Sequence, residues 1–215
     1  GGWATASGKP IKYGFIYRGA EWNGEYQLTP EGIAALRAVG MKAELDLRID
    51  WEFAYITQSP LGEDVVYKRI TNEDYYESGM QNCKDLYKQD LEFVFDCVKN
   101  DQPVYFHCHI GADRTGTLGV ILEGLLGISM SDLYKDYELT TFSVYETHRY
   151  KENIDGILEY INTLDGETLT DKFYTYCHKE LGLSAKDIAD FRQKMLGVVY
   201  PADVENLVSE ALSEK

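Results

Sequence analysis

Cys108 and Arg114 stand with five residues between them in the string HCHIGADRTG, residues 107–116. A thiol and a guanidinium at that spacing suit a tetrahedral oxyanion. The intervening chain (His109, Ile110, Gly111, Ala112 and Asp113) can wrap round one phosphate with its backbone N–H groups inward, while the arginine fork returns to grip two oxygens. Gly111 permits the tight path. A sulfur at the positive end of the following helix is expected to ionise near neutral pH. A thiolate there can attack phosphorus in line with the ester oxygen and carry the phosphoryl group until water removes it. Thr115 is placed to hydrogen-bond the departing sulfur. Arg114 and the loop amides neutralise the developing charge, so the chemistry requires no metal and no cofactor. The bare C-x5-R spacing is a weak signal that arises by chance. His107 before the cysteine, a glycine inside the loop and Arg-Thr-Gly at its end make the full string far more specific.

Such a loop needs a strand before it and a helix after it. Pro103 punctuates the chain, and Val104-Tyr105-Phe106 is a short apolar strand running straight into His107. Residues 115–126 are small and apolar, as in a buried helix. Upstream, residues 14–19, 41–47 and 65–70 read as strands. Thr29-Pro30-Glu31 opens a helix that Gly40 closes, with a capping hydroxyl, a proline in the first turn and an acid by the positive end. Tyr87, Leu91, Val94, Phe95 and Val98 recur at helical spacing within residues 83–99. Beyond the loop the chain reads as helical: residues 131–139, 150–161 and 171–181, then a helix capped by Ser184. The alternation predicts an α/β fold with a central, mainly parallel sheet, helices on both sides and a helical C-terminal half. At 215 residues, with no linker and no repeat, residues 1–215 are expected to form one domain.

The net charge of −15 argues against a nucleic-acid partner, whose affinity would rest on lysine and arginine. It also requires any phosphate site to be a local positive patch. No apolar run approaches a membrane span of about 20 residues. A chain opening on Gly1-Gly2-Trp3 without methionine is expected to have lost upstream sequence, such as a signal peptide, and to be soluble, secreted or surface-attached; its compartment stays open. Cys83, Cys97, Cys108 and Cys177 form no metal-binding spacing, and buried free thiols are the default for the three outside the loop.

HCHIGADRTG resembles the phosphate loop of the protein tyrosine phosphatase superfamily, and more closely that of its bacterial members. Gly1-Gly2-Trp3, Tyr17-Arg18-Gly19, Leu28-Thr29 with its helix, and Asp46-Leu47-Arg48 follow the order of elements in that bacterial family. The resemblance implies the superfamily fold, a phosphocysteine mechanism, and a phosphotyrosine protein or peptide, or a small phosphate ester, as substrate. Many relatives carry lysine where this chain has Ala112, and that lysine goes with phosphoinositide substrates.

A leaving phenolate or alkoxide needs a proton, and three carboxylates compete to supply it. Asp113 lies in the loop, and the matching residue of the bacterial relatives has been considered for this role; the alternative is that it braces the loop or pairs with an arginine. Asp74, with Glu73 beside it, follows a strand where the superfamily's acid loop sits. Asp46 ends a strand, where pairing with Arg48 is the simpler expectation. Arg18 and Arg48 either add positive potential at the mouth or serve as ion-pair partners. His107 is expected to orient the loop through its backbone, and His109 to touch the substrate or lie at the surface. Tyr75 and Tyr76 are candidates to stack on a phosphotyrosine ring. Other readings are an inositol polyphosphate phosphatase, a phosphate-binding module without turnover and a rhodanese-like sulfurtransferase.

Overall fold

The computed structural model describes residues 2–53, 55–145 and 148–213; Gly1, which opens the Gly-Gly-Trp stretch, lies outside them. Four strands form one parallel sheet: β1 (Ile16–Gly19), β2 (Ala43–Asp46), β3 (Val66–Arg69) and β4 (Val104–His107), in the order β1-β4-β2-β3. The helices are α1 (Pro30–Ala38), α2 (Asp50–Phe53), α3 (Tyr76–Asn82), α4 (Lys84–Lys99), α5 (Asp113–Leu126), α6 (Met130–Glu138), α7 (Asp155–Asn162), α8 (Leu169–Thr175), α9 (Ala185–Leu196) and α10 (Pro201–Ser213).

Side chains alternate across each strand, so the two faces of the sheet bury different sets. Ala43, Leu45, Val104 and Phe106 face α4 and α5 in a core that continues into α7, α8 and α9. Tyr17 and Tyr105 face the other way, onto Trp22, Met41 and the α1 residues Ile33 and Leu36. Helices therefore cover both faces. Burial on both faces leaves β2 with no exposed residue, although it carries Glu44 and Asp46. Thr29 caps α1 by accepting the Gly32 N–H, and Ser184 caps α9 by accepting that of Asp187. Gly127, with φ +86°, ends α5 in the left-handed conformation that favours glycine.

The strands are shorter than their apolar runs, because the ladder pairs only four residues of each. Two short helices lack the length to show a period in sequence: α2, and α3 directly after the polar stretch 71–74. The helix expected over 150–161 is a 3-10 turn (Lys151–Ile154) followed by α7, and that over 171–181 is α8 followed by a π turn (Tyr176–Glu180). Among the described residues the four cysteines are free, no helix is long and apolar enough to cross a membrane, and no cluster of His, Cys, Asp and Glu could hold a metal.

Candidate active site

The C-terminal ends of β1, β4 and β2 converge where parallel sheets bind ligands, outside the carboxyl ends of the strands. His107 closes β4, α5 opens at Asp113, and residues 108–112 make the turn between them. The Gly111 N–H points at the Cys108 sulfur, 3.3 Å away. Gly111 has φ +83°, and a Cβ there would lie 2.3 Å from the carbonyl carbon of Gly19, so the loop packs backbone to backbone on the end of β1. Two further bonds pin it: Glu21 N–H to His109 O at 3.0 Å and Ser143 Oγ to Ile110 O at 2.8 Å. Ala112 is fully buried, and its carbonyl accepts the Gly116 N–H at 2.9 Å as α5 begins. Arg114 donates from Nη1 to the Leu47 carbonyl at 3.3 Å, which turns its guanidinium toward the end of β2. The Thr115 hydroxyl is buried and, among the described residues, has no hydrogen-bond partner. The sulfur is thus met by a loop amide and not, as the spacing suggested, by Thr115.

His107 is buried with Nε2 3.0 Å from Glu44 Oε1 and Nδ1 3.1 Å from the Cys108 carbonyl oxygen. Both partners are acceptors, and together they fix the ring beneath the loop. His109 Nδ1 lies 3.1 Å from Glu21 Oε2. Its ring is stacked on Phe53 and tilted on Tyr145, with centroids 5.6 and 4.6 Å apart, and Tyr26 meets Tyr145 edge-on at 4.9 Å. Phe53, His109, Tyr145 and Tyr26 make one aromatic row beside the loop.

The two arginines considered for the mouth are committed elsewhere. Arg48 is fully buried and bonds Asp46, Glu21 Oε2 (2.9 Å) and Asn23 Oδ1 (2.7 Å), with its guanidinium 4.2 Å from the Phe53 ring centroid. Arg18 pairs with Asp136 and lies against Gly119 of α5. Asp46 is buried under Arg48, Arg69 and the Tyr67 hydroxyl. Burial pushes its carboxyl up, but the Arg48 guanidinium, His107 and Tyr67 outweigh burial and hold it well below the usual carboxylate range. Inside the fold Asp46 is committed to Arg48, Arg69 and Tyr67.

The other two carboxylates lie outside this buried cluster. Asp113 accepts from Arg149 Nε and Nη2, both at 3.0 Å, and from the Tyr76 hydroxyl at 2.5 Å. Asp74 accepts the Tyr75 N–H at 2.9 Å and the Ser78 hydroxyl at 2.5 Å. Tyr76 is held through its hydroxyl, which also meets that of Tyr137; Tyr75 stands edge-on against Tyr76 at 4.9 Å. Glu21, Phe53, Ser143, Tyr145 and Arg149 escape a reading of the sequence, because each comes to the loop from an irregular stretch or, for Phe53, from the end of the one-turn helix α2. A cavity of about 780 Å³ runs behind the loop past β1; Ile110 and Gly111 line it, Cys108 and Arg114 do not.

The sequence profile of the tyrosine phosphatase family matches residues 1–197. The chain belongs to that family. It is a cysteine-based phosphatase, as tyrosine phosphatase family members are, and its HCHIGADRTG string occupies the strand-to-helix turn just described. No curated protein matches the chain. Among solved structures it is similar to TpbA of P. aeruginosa, at 16% identity over 80% of this chain and 97% of that one, with a TM-score of 0.49. It is also similar to the core catalytic domain of the PP-IP phosphatase SIW14 from S. cerevisiae, at 17% identity over 71% and 91%, with a TM-score of 0.44. A third is the human tyrosine phosphatase-like serine/threonine/tyrosine-interacting protein, at 12% identity over 72% and 97%, with a TM-score of 0.49.

Proposed function

We propose that this chain hydrolyses phosphotyrosine in proteins or peptides, with Cys108 as nucleophile and Arg114 as phosphate clamp. The observation that carries the reading is the turn at residues 108–114, with an amide on the sulfur and a helix opening at its end. The sulfur attacks phosphorus as the P–O bond to the tyrosine oxygen breaks, and a flanking carboxyl, Asp74 or Asp113, protonates the leaving phenolate. Water then attacks phosphorus, the S–P bond breaks, inorganic phosphate departs and the thiolate is restored. Arg114 and the N–H groups of residues 109–114 hold the equatorial oxygens. Thr115, His107 and His109 support the loop and its mouth.

The aromatic row Phe53–His109–Tyr145–Tyr26 favours an aryl ester, because a phenyl ring entering the loop has rings to lie against. Arginines near the loop argue the same way. Arg18, Arg48, Arg69 and Arg149 are each bound to a carboxylate, and Ala112 is buried and apolar, so a substrate with several phosphates finds little further charge to meet it.

The test is hydrolysis of p-nitrophenyl phosphate and of a phosphotyrosine peptide without added metal. Wild type is expected to turn both over, vanadate to block it, and Cys108→Ser to fall below detection. Turnover by the serine variant, or faster release of phosphate from inositol hexakisphosphate or a phosphoserine peptide than from the phosphotyrosine peptide, contradicts the reading.

A further inference from the structure

Residues 139–145, which follow α6, invert the usual distribution of side chains. Their polar groups bond back to the protein: Thr140 Oγ1 donates to the Tyr137 carbonyl at 2.7 Å, Thr141 Oγ1 to that of Arg149 at 3.1 Å, Ser143 Oγ to that of Ile110 at 2.8 Å, and the Tyr145 hydroxyl to Glu21 Oε1 at 2.8 Å. Their large apolar groups are left in water: Leu139 is 53% exposed, Phe142 84% and Val144 56%. A lone exposed apolar side chain needs no explanation. Three within one short stretch, tied down by its own hydroxyls, make a patch of the kind that marks a binding surface.

The patch is continuous with the phosphate loop. Ser143, which holds the Ile110 carbonyl, stands between Phe142 and Val144, and Tyr145 beside Val144 belongs to the aromatic row with His109 and Tyr26. Leu139, Phe142 and Val144 line, with Tyr26 and Leu28, the cavity of about 780 Å³ to which the loop contributes Ile110 and Gly111. That volume falls within the roughly 300–1,000 Å³ typical of ligand pockets. The neighbours of Asp113 are of another kind, polar and bonded to one another. Arg149 forks onto its carboxylate; the Tyr76 hydroxyl also reaches that carboxylate, and the Tyr76 N–H donates to Thr117 Oγ1 of α5 at 2.7 Å, two ties that hold Tyr76 at a φ of +55°.

We propose that the patch takes the apolar side chains next to the phosphotyrosine in the substrate polypeptide, with Phe142 and Val144 as specificity-determining residues. This rests on the phosphotyrosine reading above. A phosphotyrosine seated in the loop leaves its backbone at the mouth, and the polypeptide must continue over the adjoining surface. Flanking leucine, isoleucine or valine buries its own area and that of the patch together, whereas serine buries little. Continuity with the loop selects the substrate chain as the occupant over a second copy of the protein.

The experiment measures kcat/KM of wild type and of the double variant Phe142→Ser, Val144→Ser on three substrates: a phosphotyrosine peptide with leucine and isoleucine on both sides, the same peptide with serine at those positions, and p-nitrophenyl phosphate. Wild type is expected to favour the apolar peptide by about 10-fold or more, chiefly through KM. The double variant is expected to lose that preference, with a far smaller loss on p-nitrophenyl phosphate, which has no flanking residues. Equal rates for the two peptides on wild type, or a preference that survives in the double variant, overturn the proposal. So does a concentration-dependent dimer that the double variant abolishes while the peptide preference stays, because the patch then belongs to a second copy. The peptide comparison on wild type decides the matter even where the double variant fails to fold. Failure of the phosphotyrosine reading is a separate result, turnover of neither peptide or activity retained by Cys108→Ser, and removes this proposal with it.

Discussion

Two clusters of arginine and carboxylate adjoin the phosphate loop, one through Glu21 and His109 and the other through Asp113, at different depths. In the inner one, Glu21, Asp46 and Arg48 have no side-chain exposure; every nitrogen of the Arg48 guanidinium is bonded, and Tyr67 and Arg69 complete the set. In the outer one, the Arg149 and Asp113 side chains keep 13% and 21% of their exposure. The chemistry is the same in both. Depth decides what it is for: a saturated pair under the sheet fixes where strands and loops meet, whereas a pair at the rim can set the shape of a site while water shares the cost of separating it.

Removing one partner should separate the two most sharply. Arg48→Met leaves Glu21 and Asp46 buried without their cation and is expected to cost about 3–5 kcal/mol. Arg149→Met is expected to cost about 1 kcal/mol or less. Urea titrations of both variants measure this, and equal losses would erase the distinction.

Acid should act on the inner cluster. The carboxyls of Asp46 and Glu21 are both lowered: burial raises each, but Arg48 with His107 for the first, and Tyr145, His109 and Arg48 for the second, outweigh it. A group depressed in the folded state adds stability that is fully present above its unfolded pKa, about 4 for these carboxyls, and is lost as pH falls toward the folded value. Stability measured by urea between pH 6 and pH 2.5 should therefore fall steeply below about pH 4, and Asp46→Asn together with Arg48→Met should flatten that fall. A comparably small effect is expected from Ser143→Ala, which removes one bond to the Ile110 carbonyl at about 0.5–1.5 kcal/mol. It should raise KM for p-nitrophenyl phosphate severalfold with the fold intact.

The phosphate loop is legible in sequence because its parts are consecutive: strand, cysteine, glycine and arginine lie within residues 104–114, and a β4-to-α5 turn is what such a string builds. Thr29 and Ser184 mark their helices for the same reason, since a cap acts on the N–H groups of the next turn. The clusters are not legible. Asp113 meets Arg149 and Tyr76, and Arg18 meets Asp136, across long stretches of chain, and a single charge in an irregular segment has no period to betray it. Arg48 shows the limit most plainly: a strand end at the mouth and a strand end under Phe53 read alike until the neighbouring elements are packed. Tyr76 adopts a backbone conformation that sequence would assign to glycine, and only its two ties to α5 account for it.

Gly19 and Gly111 meet with no side chain between them. Contacts made through side chains have slack, because a rotamer can change and the backbone stay still; this one has none. Residues 19–21 and 107–111 consequently form a single rigid seam, reinforced by the Glu21 amide on the His109 carbonyl. The nucleophile therefore inherits its position from the first strand of the sheet as much as from the strand that carries it. Variation tolerated elsewhere in residues 14–22 is confined, at Gly19, to what the loop on the other side of the seam can accept.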